Sequence, residues 1–413
     1  MRMQILDASK IVLVTFICSA IIMEMIKKIA VHIGAMDIPR SDEGNRHIHK
    51  EPTPKLGAVG IFLAFLIGYM LFGEQSIRMN SILIGSFIVI LTGIIDDINP
   101  IKAKHKMLGH LIAASIIVFY GGILLDRISA FGYTLEFGVL AYPLTILFIV
   151  ACTNIINLID GLDGLSSGIC CIFYITIAII GFFQGRYGSL VMLLTLIMLG
   201  STLGFLLHNF NPAKIFAGDC ATYMGFIIAV ITLLEFKGPA LISFFIPVSI
   251  LSIPILDTLF AIIRRLLRGQ PPFKADKEHI HHQLLGMNFS SRTTVLIIYG
   301  INILFATASI FYTLKDPVKG QIIYIIIFLL VIWFVFHTSI ISDKSKNVPK
   351  AIKKSLRLDP EKSLIANLIP SRNKTNKKNE KEQNQGKEKR QKTTSKASEK
   401  AQVKKQPRKK NTK

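Results

Sequence analysis

The acids of this chain collect in short motifs beside long apolar runs. Asn157, Asp160 and Asp163 sit within NIINLIDGLDGL at 154–165, with Gly161 and Leu162 between the two acids. An ionised carboxylate at the mouth of an apolar run is costly unless a cation, a partner or water compensates it, so this pair points to function. The glycines let backbone approach a ligand or turn sharply. A second pair, Asp96 and Asp97, ends another apolar run and is followed by Pro100, Lys102, Lys104 and Lys106. Adjacent carboxylates repel, and both stay charged only beside a divalent cation or basic groups. Hard cations such as Mg²⁺ or Mn²⁺ take carboxylate oxygens and pair them with substrate phosphates. The plain alternative is a helix-end acid pair facing water.

Three further stretches carry groups of the same chemistry. KIFAGD at 214–219 brings Phe216 and Asp219 to the start of an apolar run, and HIHH at 279–282 supplies His279, His281 and His282. With no Cys and no His-Glu-x-x-His spacing, these histidines read as donors to phosphate oxygens or proton carriers rather than zinc ligands. RHIHKEPTPK at 46–55 is a stiff basic segment ending in Lys55, either a phosphate contact or ordinary loop charge.

The elements that must position these groups are membrane spans. The 413 residues are 51% hydrophobic with mean hydropathy +0.49, which excludes a large soluble domain and predicts an all-α polytopic helical bundle. Apolar runs give eleven predicted spans: 9–31, 56–73, 81–95, 108–125, 139–156, 164–183, 189–207, 222–235, 240–262, 294–314 and 321–341. Lys and Arg concentrate in alternate loops (Arg40, Arg46, Lys50, Lys55; Lys102, Lys104, Lys106; Lys214; Arg264, Arg265, Arg268, Lys274, Lys277, Arg292), which places those loops and the C-terminus in the cytoplasm. By the same span count every polar cluster faces the cytoplasm, and the opposite loops hold no comparable constellation. Acids at span ends on one side suit a composite surface site. They do not suit a cation-coupled transporter, whose acids would lie near mid-span with related halves.

The net charge of +22 is largely a tail. Residues 342–413 hold 24 Lys/Arg against 7 Asp/Glu, or +17, leaving +5 for the membrane domain at 1–341. The tail is predicted to be largely disordered and to rest on anionic lipid headgroups, with no nucleic-acid partner expected. The five cysteines show no metal-ligand spacing and read as small buried hydrophobes.

With these motifs in this order, the chain resembles the polyprenyl-phosphate N-acetylhexosamine-1-phosphate transferases over about residues 37–285. It is closer to their WecA/TagO branch than to the MraY branch. The resemblance implies a Mg²⁺-dependent enzyme, with Mn²⁺ the alternative. It would move N-acetylhexosamine 1-phosphate, GlcNAc 1-phosphate at the level of the branch, from a UDP-N-acetylamino sugar to undecaprenyl phosphate. UMP would be released in the first lipid-linked step of a cell-envelope polymer such as teichoic acid or O-antigen. A phospho-MurNAc-pentapeptide transferase is the near alternative. The resemblance further implies that Asp96 and Asp97 serve the lipid phosphate, with Asp96 the favoured base. Asp219 would be the metal ligand, with Asp160 or Asp163 nearby. Gly161, Leu162 and Asp163 would contact uracil and Phe216 would stack on it, beside Asn157. His279, His281 and His282 would hold phosphates, with Lys55 and Lys106 adding charge. A homodimer is left open.

Overall fold

The computed structural model describes residues 2–38, 52–130, 133–235, 255, 284–285 and 289–314, with scattered positions between 319 and 330. Two units are distinguished, one of Met1–Trp333 with Ser345–Pro349, the other of Phe334–Lys344 with Lys350–Lys413. All described residues belong to the first. Arg40, Arg46, Lys50, the three histidines at 279, 281 and 282, the predicted span at 240–262 apart from residue 255, and the tail lie outside the described residues.

The first unit is an all-α bundle. Among the described residues its helices include α1 Arg2–His32, α2 Gly57–Phe72, α3 Ile77–Ile98, α4 Ala103–Ser115, α5 Ala141–Ile159, α6 Leu165–Phe183, α7 Leu190–Asn209, α8 Thr222–Glu235 and α9 Ser291–Leu314. Among the described residues six helices are long and apolar enough to cross a membrane, and α2 is a shorter apolar helix. Helices satisfy their own backbone, which is why continuous apolar sequence folds this way in lipid. Serines start two of them: Ser76 accepts from Met79 N at 3.1 Å ahead of α3, and Ser189 accepts from Met192 N at 3.2 Å ahead of α7. The core of the bundle is filled by fully buried Phe65, Phe173, Tyr174, Phe205, Tyr223 and Phe226. Close α1–α7 packing includes Ser19 Oγ donating to Ser201 O at 2.6 Å.

Two stretches depart from the predicted spans. The run at 108–125 instead forms α4 from Ala103, widening into a π-turn at Ile116–Tyr120 and stopping at Gly121–Gly122. Hydropathy counting misses a polar first turn, Ala103-Lys-His-Lys, and that turn carries Lys106. The predicted loop at 126–138 holds an antiparallel hairpin, β3 Arg127–Ala130 with β4 Tyr133–Glu136, paired from Arg127↔Glu136 to Ala130↔Tyr133.

A second short pairing matters more for function. β1 Met36–Asp37 runs antiparallel to β2 Thr53–Pro54, and Lys55 N donates to Ala35 O at 2.9 Å. The same strand then docks on the segment before α8: Phe216 N donates to Pro54 O at 2.9 Å and Gly57 N to Phe216 O at 2.8 Å. Between them Leu56 takes a left-handed φ of 74°, costly for a side chain with a Cβ and held by its flanking bonds. This ribbon ties the starts of α2 and α8 together at one end of the bundle.

Candidate active site

The acid motifs meet at that same end. Gly93, one turn before the acid pair on α3, permits close approach, since a Cβ there would lie 2.7 Å from Cys220 Cα. Asp97 can therefore reach the start of α8, where its carboxylate accepts from Asp219 N at 3.0 Å and Cys220 N at 3.5 Å. An acid from another helix thus caps the positive end of α8. Gly218 makes the turn possible with φ 74° and ψ −167°, a region open almost only to glycine.

Two lysines face these acids. Lys106 Nζ pairs with Asp96 Oδ2 and also with Asp219 Oδ1, the latter at 2.8 Å, and Lys55 Nζ lies 3.8 Å from Asp97 Oδ1. Asp96 also accepts from Ile101 N at 2.8 Å, the amide following Pro100. Asn157 Nδ2 reaches Asp219 Oδ1 at 3.5 Å. Burial alone would raise the Asp219 carboxyl, but its hydrogen bond with Asp96 and the Lys106 ammonium outweigh that and hold it below the usual carboxylate range.

The two acids of 154–165 separate in role. Asp160, at the end of α5, keeps a little accessible surface while its carboxyl lies deep among protein atoms. Burial first, then the charges of Asp97, Asp219 and Asp163, push it up to about 7, although the hydroxyl of buried Ser166 donates to it. Asp163 instead accepts from Asn211 Nδ2 at 3.0 Å and Ala213 N at 3.1 Å, anchoring the loop after α7. Gly161 is exposed, Leu162 buried and Phe216 half-buried. The structure thus joins Lys55, Asp96, Asp97, Lys106, Asn157 and Asp219 directly, with Asp160 within electrostatic range and Asp163 turned to a neighbouring loop.

Among the described residues no three His, Cys, Asp or Glu already converge as a ligand cage. The donor chemistry nonetheless fits a hard divalent cation. Three carboxyls (Asp96, Asp97, Asp219) meet two ammonium groups (Lys55, Lys106), with Asp160 within electrostatic range of two of them, an excess of hard carboxyl oxygen.

Two residues escape sequence reasoning. Asn209, the last residue of α7 and only 2% exposed, accepts through Oδ1 from Gly164 N at 3.1 Å and Ser167 Oγ at 2.8 Å. Its Nδ2 donates to Ile215 O at 3.0 Å, so one amide clamps the 160–164 turn to the stretch carrying Phe216. Tyr299 of α9 adds a hydrogen bond to Gly164 O, and Arg292 lies over the Phe210 ring at 5.5 Å. His110, buried one turn beyond Lys106, is the other. Asn154 Nδ2 donates to Val150 O at 2.7 Å, which orients the amide, so its 3.3 Å contact with His110 Nδ1 is a second donation and the imidazole proton sits on Nε2. The only signal available was a polar residue within an apolar run for His110 and one just past the end of a run for Asn209.

Residues 79–235 match the family described as Glycosyl transferase family 4. The chain is 39% identical over 356 residues to a probable undecaprenyl-phosphate N-acetylglucosaminyl 1-phosphate transferase of Bacillus subtilis, covering 84% of this chain and 96% of that one. It is 31% identical over 326 residues to the decaprenyl-phosphate N-acetylglucosaminephosphotransferase of Mycobacterium tuberculosis, covering 70% and 80%. Against the undecaprenyl-phosphate alpha-N-acetylglucosaminyl 1-phosphate transferase of Escherichia coli K12 the identity is 26% over 307 residues, covering 72% and 81%.

Proposed function

The chain belongs to glycosyl transferase family 4, and from that premise we propose that it transfers N-acetylglucosamine 1-phosphate from UDP-GlcNAc to undecaprenyl phosphate. An oxygen of the lipid phosphate forms a bond to the β-phosphorus of the UDP-sugar. The bond from that phosphorus to the bridging oxygen breaks, and the electron pair leaves with UMP. The observation that carries this reading is the meeting of Lys55, Asp96, Asp97, Lys106, Asn157 and Asp219 where several apolar helices end.

The place suits both substrates. A polyprenyl chain stays in the bilayer with its phosphate at headgroup level, and a nucleotide sugar approaches from water. The loop charges favour the cytoplasmic side for this face and for the C-terminus. Asp96 takes the residual proton of the lipid phosphate, whose second pKa near 6 asks little of a carboxylate. Lys55 and Lys106 attract and orient the anionic reactants, together with His279, His281 and His282. Phe216 offers a ring face to uracil beside the Gly161–Asp163 turn. Asp219, with Asp160 or Asp163, would hold Mg²⁺ or Mn²⁺, which supplies neutralisation of diphosphate charge when bound. The membrane domain spans 1–341, and the basic segment 342–413 rests on anionic headgroups.

The test is UMP release by purified protein with undecaprenyl phosphate, UDP-GlcNAc and Mg²⁺. Lipid- and metal-dependent UMP from the parent, lost in Asp96→Asn and Asp219→Asn, supports the transfer. Release only with UDP-MurNAc-pentapeptide reassigns the sugar, and no release with any UDP-amino sugar refutes the reaction.

A further inference from the structure

The cluster contains a cation of its own at the place where an incoming one would bind. We propose that Lys106 is a displaceable counter-cation: it holds Asp219 while the site is empty and must leave it for a divalent metal to enter, which frees its ammonium for an anionic substrate. This rests on the transferase reading above.

The argument begins with which groups can move. Asp97 is fixed by two backbone N–H donors, and Asp96 by the Ile101 amide. Asp219 rides on the turn that those bonds define, with Asn157 against it. The flexible four-carbon stem that reaches Asp219 is that of Lys106, whereas the Lys55 ammonium lies against buried Asp97. Exposure points the same way. The Lys106 and Asp219 side chains are 29% and 28% exposed, against 4% for Asp96 and 0% for Asp97. A cation arriving from water meets the Lys106–Asp219 pair first.

The two cations cannot share that oxygen comfortably. Lys106 Nζ is 2.8 Å from Asp219 Oδ1. Divalent magnesium sits about 2.1 Å from a carboxylate oxygen, so the two would lie at most about 5 Å apart with three positive charges between them. Asp96, still in contact with Lys106, keeps the released ammonium near the site. Metal entry and lysine release are therefore one exchange at Asp219, and the anionic phosphate follows it.

Mn²⁺ binding to the purified full-length protein in detergent, followed by the EPR signal of free Mn²⁺ without any nucleotide, tests this. Lys106→Met is expected to bind Mn²⁺ about tenfold or more tightly than the parent, and Lys106→Arg no tighter. The gain disappears when Asp219→Asn is added. A second readout is melting: Lys106→Met melts lower than the parent without metal and gains the larger shift with Mn²⁺. Lys106→Gln serves the same comparison if methionine disturbs folding. Mn²⁺ affinity unchanged or weakened in both neutral variants overturns the proposal, and if the parent still releases UMP the transferase reading survives it. No Mn²⁺ binding by any variant overturns the displacement and the metal assignment together.

Discussion

Replacing Gly218 by alanine strikes the site through the backbone. The residue holds φ 74° and ψ −167°, and a Cβ built there lies 2.8 Å from both Cγ and Oδ1 of Asp97. Alanine in this region costs about 1–3 kcal/mol of strain. Moving the Asp97 carboxylate aside also loses its bond from Asp219 N at 3.0 Å, a charge-assisted contact worth about 1.5–3 kcal/mol. The sum, about 2.5–6 kcal/mol, falls on the arrangement of Asp97 against Asp219. Expressed wholly in the transition state, that is a drop of about 10²–10⁴ in kcat/KM. The assay is UMP release at varied UDP-GlcNAc, with melting in detergent to separate misplacement from unfolding. Gly300→Ala on α9, where a Cβ meets nothing within 4 Å, is the control expected to match the parent. Parental kcat/KM in Gly218→Ala would refute the claim that this turn and the Asp97 carboxylate are mutually fixed.

Asn209→Ala leaves Gly164 N–H, Ser167 O–H and Ile215 C=O without their buried partner, at about 1–3 kcal/mol each. Melting is expected to fall and the KM for UDP-GlcNAc to rise more than kcat falls, because the clamp joins the two stretches assigned to the nucleotide. His110→Gln keeps an acceptor for Asn154 Nδ2 and is expected to retain most activity, whereas His110→Leu loses it; equal activity of the two in the UMP assay would contradict the bridge. Asp160 gives a pH signature. Its carboxyl is raised to about 7 from 3.8, so the stability it contributes is full below about pH 4 and is lost as the pH rises toward 7, up to about 4 kcal/mol. Some contact with water makes that an upper limit. In chelator, Asp160→Asn is expected to gain melting temperature relative to the parent at pH 8 but not at pH 4; a gap that does not grow with pH contradicts the buried placement.

Much of the fold was legible because it depends on local properties. A continuous apolar run must become a helix in lipid, and α2, α5, α6, α7 and α8 follow their runs closely. The limits of α4 were not legible, since its first turn is polar and its end is set by a π-turn and two glycines. The acids stood out for a related reason: charge at the end of an apolar run is expensive wherever it occurs. That Asp96, Asp97, Asp160 and Asp219 belong to one region could be read from their common side of the membrane.

What each acid does could not be read that way. Lys106 and Asp219 are 113 residues apart, and Asp97 and the Asp219 amide 122, so no spacing in the chain encodes their contact. Sequence showed two equivalent acids in NIINLIDGLDGL, yet packing turned Asp163 to the 211–213 loop and buried Asp160 beside Ser166. Asn209 and His110 looked like incidental polar residues until α6 and α5 supplied their partners. By itself the sequence determined which residues are charged and which runs are apolar, because those follow from composition along the chain. Only the tertiary structure decided which carboxylate caps a helix, which meets an ammonium and which is held by a hydroxyl, because hydrogen bonds and ion pairs act over a few ångströms between helices that folding alone brings together.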